Sequence, residues 1–382
     1  MLHDARNGLL RLLLLGMILY PATALAGPEP YVQASVSAGG VQDDNIFSTA
    51  TGKEKDVVSR VTPELEIGAR SEPLTLSGRY AFDAERFADH PELDNSRMRE
   101  RASLDLKTAT VRPWSLALVG AFFRTQTPSE LNTETGVLAG RAGARRLEIG
   151  STVTRRFDPS TSITSGLTFV RDELSGGAGI GSRIGSLSFE RGLTPRDRLS
   201  ADYQARRFDF DQGRPILFHA VTFGWAREAT GRTGFTLRAG PRLVDGSVRP
   251  EVSASLDHRL KRGVLSCTYT DSTATIIGQA GVASFESLVA AAEVQPLRSL
   301  RLSAAPSAVR VRSADAATET RLYLGTLGAT WRIVPWLALE GSYQFTLQRA
   351  PSALADQEIS HHVVLLRLVA SAPGKVNDGR RR

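Results

Sequence analysis

Apolar and polar side chains alternate with a period of two through long stretches of this chain. From 57 to 70, one face carries Val61, Leu65 and Ile67 and the other carries mainly polar residues, and the alternation resumes from 74 to 83. Successive side chains of a β-strand point to opposite faces, whereas a helix would spread these apolar positions around its whole surface. Strands of about ten residues with one apolar face are typical of a membrane-spanning β-barrel.

Two kinds of connection separate the predicted strands. Short turns, most of them with proline, occur at 71–73, 112–114, 158–160, 194–196, 230–232, 261–263, 295–297 and 334–336. Longer polar connections occur at 39–56, 89–96, 125–141, 175–182, 211–215, 271–281, 313–320 and 349–359. Short periplasmic turns and longer extracellular loops are typical of outer-membrane barrels. We therefore predict an all-β fold, a closed antiparallel transmembrane β-barrel of 16–18 strands with 18 as the best count, in the cell outer membrane.

The N-terminus has the features of a secretory signal peptide. Arg6 and Arg11 precede a short apolar run, and small residues lead to a predicted cleavage between Ala26 and Gly27. The run is shorter than the roughly 20 apolar residues of a membrane-spanning helix, so a signal peptide is favoured over an N-terminal anchor. The predicted organisation is a signal peptide at 1–26, a barrel at 27–370 and a basic tail at 371–382.

Composition excludes several classes of function. The formal net charge of +7 is spread along the chain instead of forming the basic patch of a nucleic-acid binder. The single cysteine, Cys267, excludes an intramolecular disulfide and a cysteine-rich metal site. Asp43 and Asp44 offer oxygen ligands for calcium, but the other spaced ligands are missing and a turn is favoured. Because no catalytic motif is present, we predict that the protein is not an enzyme and needs no cofactor or metal.

All the tryptophans lie beside proposed short turns. They are Trp114, Trp225, Trp331 and Trp336. Aromatic rings favour the level of the lipid headgroups, where their apolar body and polar edge are both accommodated. These residues are the predicted aromatic belt on the periplasmic side.

Arginines dominate the predicted inner face. The candidate contacts with a solute in the lumen are Arg60, Arg79, Arg97, Arg99 and Arg101. Strict alternation places the last three on one face of one strand, as a constriction or a contact for an acidic sugar. Acidic residues share the inner face, so the sequence leaves open a hydrated, slightly basic channel and a lining that only stabilises the wall by cross-strand ion pairs.

The first part of the mature chain resembles a known family. The matching segments are the first strand at 31–36, Asp43-Asp44-Asn45-Ile46-Phe47 and the Pro63-x-Leu65 step of the second strand. They are similar to β-barrel porins that accompany bacterial exopolysaccharide assembly and export. The resemblance implies export of a polysaccharide to the cell surface, with outer-membrane lipid, the polymer and periplasmic polysaccharide-assembly proteins as partners. The alternatives are a general or substrate-specific porin for uptake of small polar or anionic solutes, and a plugged structural or adhesive barrel.

Overall fold

The computed structural model describes residues 28–111, 113–313, 319–350 and 357–372, which form a single sheet of β-strands. The strands are β1 (Glu29–Asp43), β2 (Asp56–Arg70), β3 (Leu74–Phe87), β4 (Asn95–Val111), β5 (Trp114–Thr125), β6 (Ala144–Asp158), β7 (Thr161–Leu174), β8 (Ile180–Gly192), β9 (Asp197–Phe210), β10 (Ile216–Thr230), β11 (Thr233–Val244), β12 (Ser247–Leu260), β13 (Gly263–Ala274), β14 (Ala283–Leu297), β15 (Leu300–Ser313), β16 (Glu319–Val334), β17 (Leu337–Ala350) and β18 (Gln357–Ser371). Two short 3-10 helices lie in loops, at Pro91–Leu93 and Pro128–Leu131. Among the residues described, no helix is long and apolar enough to cross a membrane.

The strands form a closed antiparallel ring. Each pairs with its neighbours in the sequence, and β1 closes the ring on β18 from Ser35–Ser371 to Asp43–Val363. Closure removes the open strand edges, whose polar groups lipid could not hydrogen-bond. The predicted closed barrel and the best count of 18 strands are confirmed. The predicted signal peptide, its cleavage site and the tail beyond 372 lie outside the described residues.

Seven of the eight short turns fall where the sequence predicts them. One turn lies at a different position, and one turn at the loop end has no predicted position. β14 continues through the segment 295–297, so its turn to β15 is Arg298-Ser299. The connection between β11 and β12 is implied by the strand count but is not among the predicted longer connections, and it turns through Asp245-Gly246 at the loop end. Both residues have positive φ, 47° and 81°. Asp-Gly in this conformation forms a two-residue hairpin turn without proline.

The two faces of the sheet meet different solvents. Apolar side chains such as Val32, Ile67, Leu167 and Phe223 are exposed on the outer face. The inner face buries polar groups, including Thr62. An apolar exterior and a polar interior are expected of a barrel surrounded by lipid.

The interior of the loop end is filled by a loop that folds inward. We call residues 126–143, between β5 and β6, the crossing loop. Its Val137 is buried against Phe285, Val309 and Leu322 of β14–β16. In an eighteen-strand ring β14 is diametrically opposite β5, so this loop spans the lumen. The crossing loop thus turns into the barrel instead of extending away from it, because its apolar residues gain burial against the inner wall.

Candidate functional site

Asp83 of β3 lies at the centre of a group of charged side chains on the inner wall. Its side chain is 2% exposed and accepts a hydrogen bond from the Thr62 hydroxyl at 2.7 Å. Guanidinium groups of Arg60, Arg99 and Arg101 approach its carboxylate to 3.8, 3.4 and 3.3 Å. Because a buried carboxylate is strongly disfavoured without charge partners, Asp83 fixes these arginines in place. We call these five residues the Asp83 cluster.

Arg60 and Arg79 have further carboxylate partners. Arg60 Nη2 lies 2.7 Å from Glu85, and Arg79 donates to Glu66 at 2.7 Å and lies 3.5 Å from Glu64. The Arg79 side chain is 55% exposed, whereas that of Glu66 is 15% exposed. The wall therefore has the ion-paired lining that the sequence left open, and it also presents guanidinium groups to the lumen.

Arg97 does not join this group. The pairing of β3 with β4 shifts in register next to Asp83, and alternation is not preserved through such an irregularity. The Arg97 guanidinium lies 5.2 Å from the centre of the Phe82 ring, whose side chain alternates with the inward-facing Asp83. The prediction that Arg97 shares one face with Arg99 and Arg101 is therefore wrong.

The crossing loop is tied to the wall at both ends. Near its start, Glu130 pairs with Arg99 at 2.8 Å and accepts a hydrogen bond from Thr125 at 2.9 Å. Near its far end, the backbone N–H of Leu138 donates to the Gln348 side chain at 2.8 Å. These contacts hold the loop across the lumen, next to the Asp83 cluster.

A second inward loop, 275–282 between β13 and β14, supports the crossing loop. The backbone N–H of Ile277 donates to the Asn132 side chain at 2.9 Å. Ile277 is buried with Leu131 and Ala144. The middle of the crossing loop is thus packed on another loop as well as on the wall.

Two cavities border the Asp83 cluster, one beside Thr62 and Arg101 and the other beside Arg60 and Arg99. One, of about 400 Å³, lies toward the turn end and is lined by residues including Arg79, Arg101, Arg367 and Glu64. The other, of about 320 Å³, lies against the crossing loop and is lined by residues including Arg60, Arg99 and Arg141. Burial lowers the pKa of Arg141, although nearby carboxylates oppose that effect. A solute in either cavity would meet several guanidinium groups.

Glu134 of the crossing loop adds an acid that the sequence analysis did not select. Burial raises its pKa, and the positive charges of Arg206 and Arg146 partly oppose this rise. Arg146 is itself paired with Asp172 on the neighbouring strand at 2.6 Å. The tip of the loop therefore brings a titratable carboxyl group toward basic residues of β6 and β9. Nothing in the local sequence pattern marks Glu134, because its neighbours come from distant strands.

The mouth of the barrel has its own histidine contacts. His90 lies between Asp56 and Glu54, at 2.7 and 2.6 Å. A hydrogen bond to Asp56 and a second to Glu54 raise the pKa of His90. Because residues 54 and 90 belong to different loops, this contact latches the loop after β1 to the loop after β3.

Three residues of types that can bind a metal lie beside the seam of the barrel, where β1 pairs with β18. They are Asp43, Asp44 and His361, whose potential ligand atoms lie within 4.8 Å of one another. Asp43 accepts from the backbone N–H of Asn45 at 2.9 Å and lies 2.7 Å from His361. Asp44 accepts from the backbone N–H of His362 at 2.6 Å. These carboxylates serve as turn and seam contacts, in line with the turn that the sequence favours.

The tryptophans lie at the turn end of the barrel. Trp114 begins β5, Trp336 lies in the turn before β17, and Trp331 is near the end of β16. Trp225, further from its turn, donates to Asp197 at the start of β9 at 3.2 Å. Their exposed fractions of 38% to 53% suit rings that face lipid headgroups.

No family model and no curated protein matches the sequence. Among solved structures, that of OpdO from Pseudomonas aeruginosa is similar, with a TM-score of 0.50 and 14% identity over 90% of this chain and 97% of OpdO. A crystal structure of OccK3 (OpdO) from the same organism gives a TM-score of 0.50 and 14% identity over 90% and 95% of the two chains. These neighbours are outer-membrane porins. The chain has the fold of an outer-membrane β-barrel porin and belongs in the outer membrane.

Proposed function

We propose that this protein is a porin for uptake of small acidic solutes. The observation that carries the proposal is the Asp83 cluster beside the crossing loop. In it the carboxylate is 2% exposed while the Arg101 side chain is 42% exposed. A solute passing the loop would therefore meet positive charge in preference to negative charge.

The wall contacts suit passage and not tight binding. Each exposed guanidinium contributes about 1 kcal/mol or less to a passing anion, because water and salt screen the interaction. Transport requires binding favourable enough for entry and weak enough for release. Exposed arginines that are already paired with acids, as Arg79 is with Glu66, meet both requirements.

Export of a polysaccharide, implied by the sequence resemblance, has less support. Nothing in the comparisons with known proteins links this chain to exopolysaccharide assembly. The crossing loop also occupies the path that a polymer would need, and Arg99 and Gln348 hold it there. A deletion strain separates the two functions: loss of surface polysaccharide with normal solute uptake would favour export.

Swelling of proteoliposomes tests the uptake proposal. A small dicarboxylate should enter faster than a neutral sugar of similar size, and Arg79→Gln with Arg101→Gln should remove the difference. Arg183→Gln with Arg207→Gln is the matched control, because these arginines are directly opposed on β8 and β9 and alternate with inward-facing residues such as Ser182 and Phe208. Equal entry of acid and sugar through the unaltered protein would contradict the proposal.

A further inference from the structure

A row of arginines crosses the outer wall at the loop end. Arg310, Arg321 and Arg349 are directly opposed in register on β15, β16 and β17. Val309 and Leu322, which alternate with the first two, are buried inside the barrel. The three arginines therefore point outward, and we call them the arginine row.

The arginine row has two acidic partners for its three guanidinium groups: Arg349 pairs with Glu358 at 2.8 Å, and Arg310 and Arg321 share Glu319. Like charges placed directly opposite each other on a sheet are destabilising unless other charges compensate. Glu319 forms an ion pair with Arg310 and also accepts a hydrogen bond from Arg321 Nε at 2.7 Å. The oxygen of Glu319 that contacts Arg310 also lies 3.5 Å from Arg312, whose closer partner is Glu286 at 2.9 Å.

One nitrogen of the row has no partner at all. Arg310 Nε is buried and has no hydrogen-bond partner within the described structure. The same carboxylate oxygen of Glu319 contacts Arg310 through Nη2. An additional anion at the exposed part of the Arg310 side chain would reduce the repulsion along the row.

An apolar groove lies directly beside the row on the outer wall. This cavity of about 210 Å³ is lined by Tyr269, Leu288, Ala308 and Tyr323, with Arg310 and Arg321 among its other lining residues. In register, Leu288, Ala308 and Tyr323 are opposed on β14–β16, two residues closer to the membrane centre than the row. Positive charge thus lies above an apolar depression in a wall that faces lipid.

A second cavity extends the basic surface. It has a volume of about 270 Å³ and shares Arg310 and Glu286 with the groove. Arg249 and Arg312 also line it, together with Asp271 and the buried Arg242, whose guanidinium is paired with Glu251 and Asp271. It lies where the pairing of β12 with β13 stops, at Val252–Asp271. Several phosphate oxygens could therefore be met by guanidinium groups in one place.

We propose that the arginine row binds the phosphate of a phosphorylated lipid in the outward leaflet, with an acyl chain in the groove. Arginine matches phosphate in charge and in its fork of donors. The groove matches the apolar part of the same molecule, and the loop end places both at headgroup level in that leaflet. The proposal depends on the outer-membrane location and is independent of what passes through the lumen.

Lipid binding to the full chain in nanodiscs tests the proposal. The probes are lipid A with its phosphates and the same lipid after dephosphorylation, measured by native mass spectrometry. Replacing Arg310, Arg321 and Arg349 with Gln should weaken binding of the phosphorylated probe about tenfold or more. Each basic group near an anionic membrane surface increases the binding affinity by roughly fivefold. The matched control replaces Arg155, Arg191 and Arg227 with Gln, on outward positions at the turn end.

A second variant keeps the charge and fills the groove. Ala308→Phe should displace the acyl chain and weaken binding without removing any arginine, while the heat-induced gel shift of a folded barrel is retained. Equal binding of both probes, unchanged binding by both test variants or equal loss in the control would overturn the proposal. Displacement by inorganic phosphate alone would show an anion site without lipid specificity, and dimerisation through the row would identify a second copy as its occupant; either result would overturn it.

Discussion

Arg99 on β4 and Glu130 in the crossing loop form a 2.8 Å ion pair that joins the inner wall to the segment spanning the lumen. The same guanidinium lies 3.4 Å from Asp83. The position of the loop and the arrangement of the arginines are therefore coupled. A change at either partner should alter both the width of the path and its charge.

Glu130→Gln should loosen the crossing loop. The substitution removes the ionic contact with Arg99, and we expect the attachment of the loop to weaken by about 1–2 kcal/mol, as for a partly buried charged hydrogen bond. Single-channel recordings should show a higher conductance and more frequent transitions between conductance levels. Glu173→Gln is the control, because Glu173 pairs with Arg145 and Arg171 on the outer face of the barrel and does not contact the part of the loop inside the lumen. Identical traces for the two variants would show that the tether does not set the aperture.

Asp83→Asn should destabilise the barrel and increase its preference for anions. The change leaves three guanidinium groups without their shared carboxylate. Because these arginines keep partial contact with water, we expect a loss of about 1–3 kcal/mol, less than for a fully buried pair. Thermal unfolding followed by the heat-induced gel shift measures the first effect, and reversal potentials measure the second. An unchanged midpoint of thermal unfolding would show that the Asp83 carboxylate does not stabilise the barrel.

The strand count follows from alternation and turn spacing, since one face of each strand must meet lipid whatever the rest of the chain does. Alternation fails as a guide where the backbone is irregular. Arg97 points to Phe82 because the register shifts beside it, and no residue type in 95–99 announces the shift. The position of the turn at Asp245-Gly246, which we did not predict, was readable from sequence, because Asp-Gly is itself a strong turn signal.

The interior of the loop end could not be predicted from local sequence. Val137 is buried by residues about 150 to 185 positions away in the chain, including Phe285 and Leu322. Glu134 owes its raised pKa to partial desolvation inside the lumen, where residues of other strands surround it. Such contacts depend on the closed ring that brings β5 and β14 to opposite sides of one lumen. The sequence predicts that loop as polar and long, and its apolar residues show their role only in three dimensions.

The latch between the loops at the mouth should open as pH rises. The pKa of His90 is raised by Asp56 and then by Glu54, so the contribution of the latch is fully present below the ordinary histidine pKa and is lost as pH rises through the raised value. We expect the ratio of the rate of trypsin cleavage at Lys53 and Lys55 in the unaltered protein to the rate in the His90→Gln variant to increase as pH rises through the raised pKa of His90. A ratio that stays constant with pH would contradict the latch.

Glu134 should make anion passage depend on pH. Burial raises its pKa, so the carboxyl group becomes neutral as pH falls through a value above that of an ordinary glutamate. Loss of this negative charge in the lumen should increase anion permeability at low pH. The anion permeability of Glu134→Gln should equal that of the unaltered protein at low pH, stay at that level as pH rises, and therefore give a flatter pH profile. A pH profile in the variant that matches the unaltered protein would exclude Glu134 as its source.

The reversal potential of the reconstituted channel in a KCl gradient tests anion selectivity most directly. The unaltered protein should favour chloride over potassium, because Arg79 and Arg101 are exposed while Asp83 is buried. Arg79→Gln with Arg101→Gln should reduce the permeability ratio by roughly two- to tenfold, the range expected for two screened contacts. Arg97→Gln, on the outer face, should leave the ratio unchanged. Cation selectivity in the unaltered protein, or a ratio that the double substitution does not change, would contradict uptake of acidic solutes through this lumen.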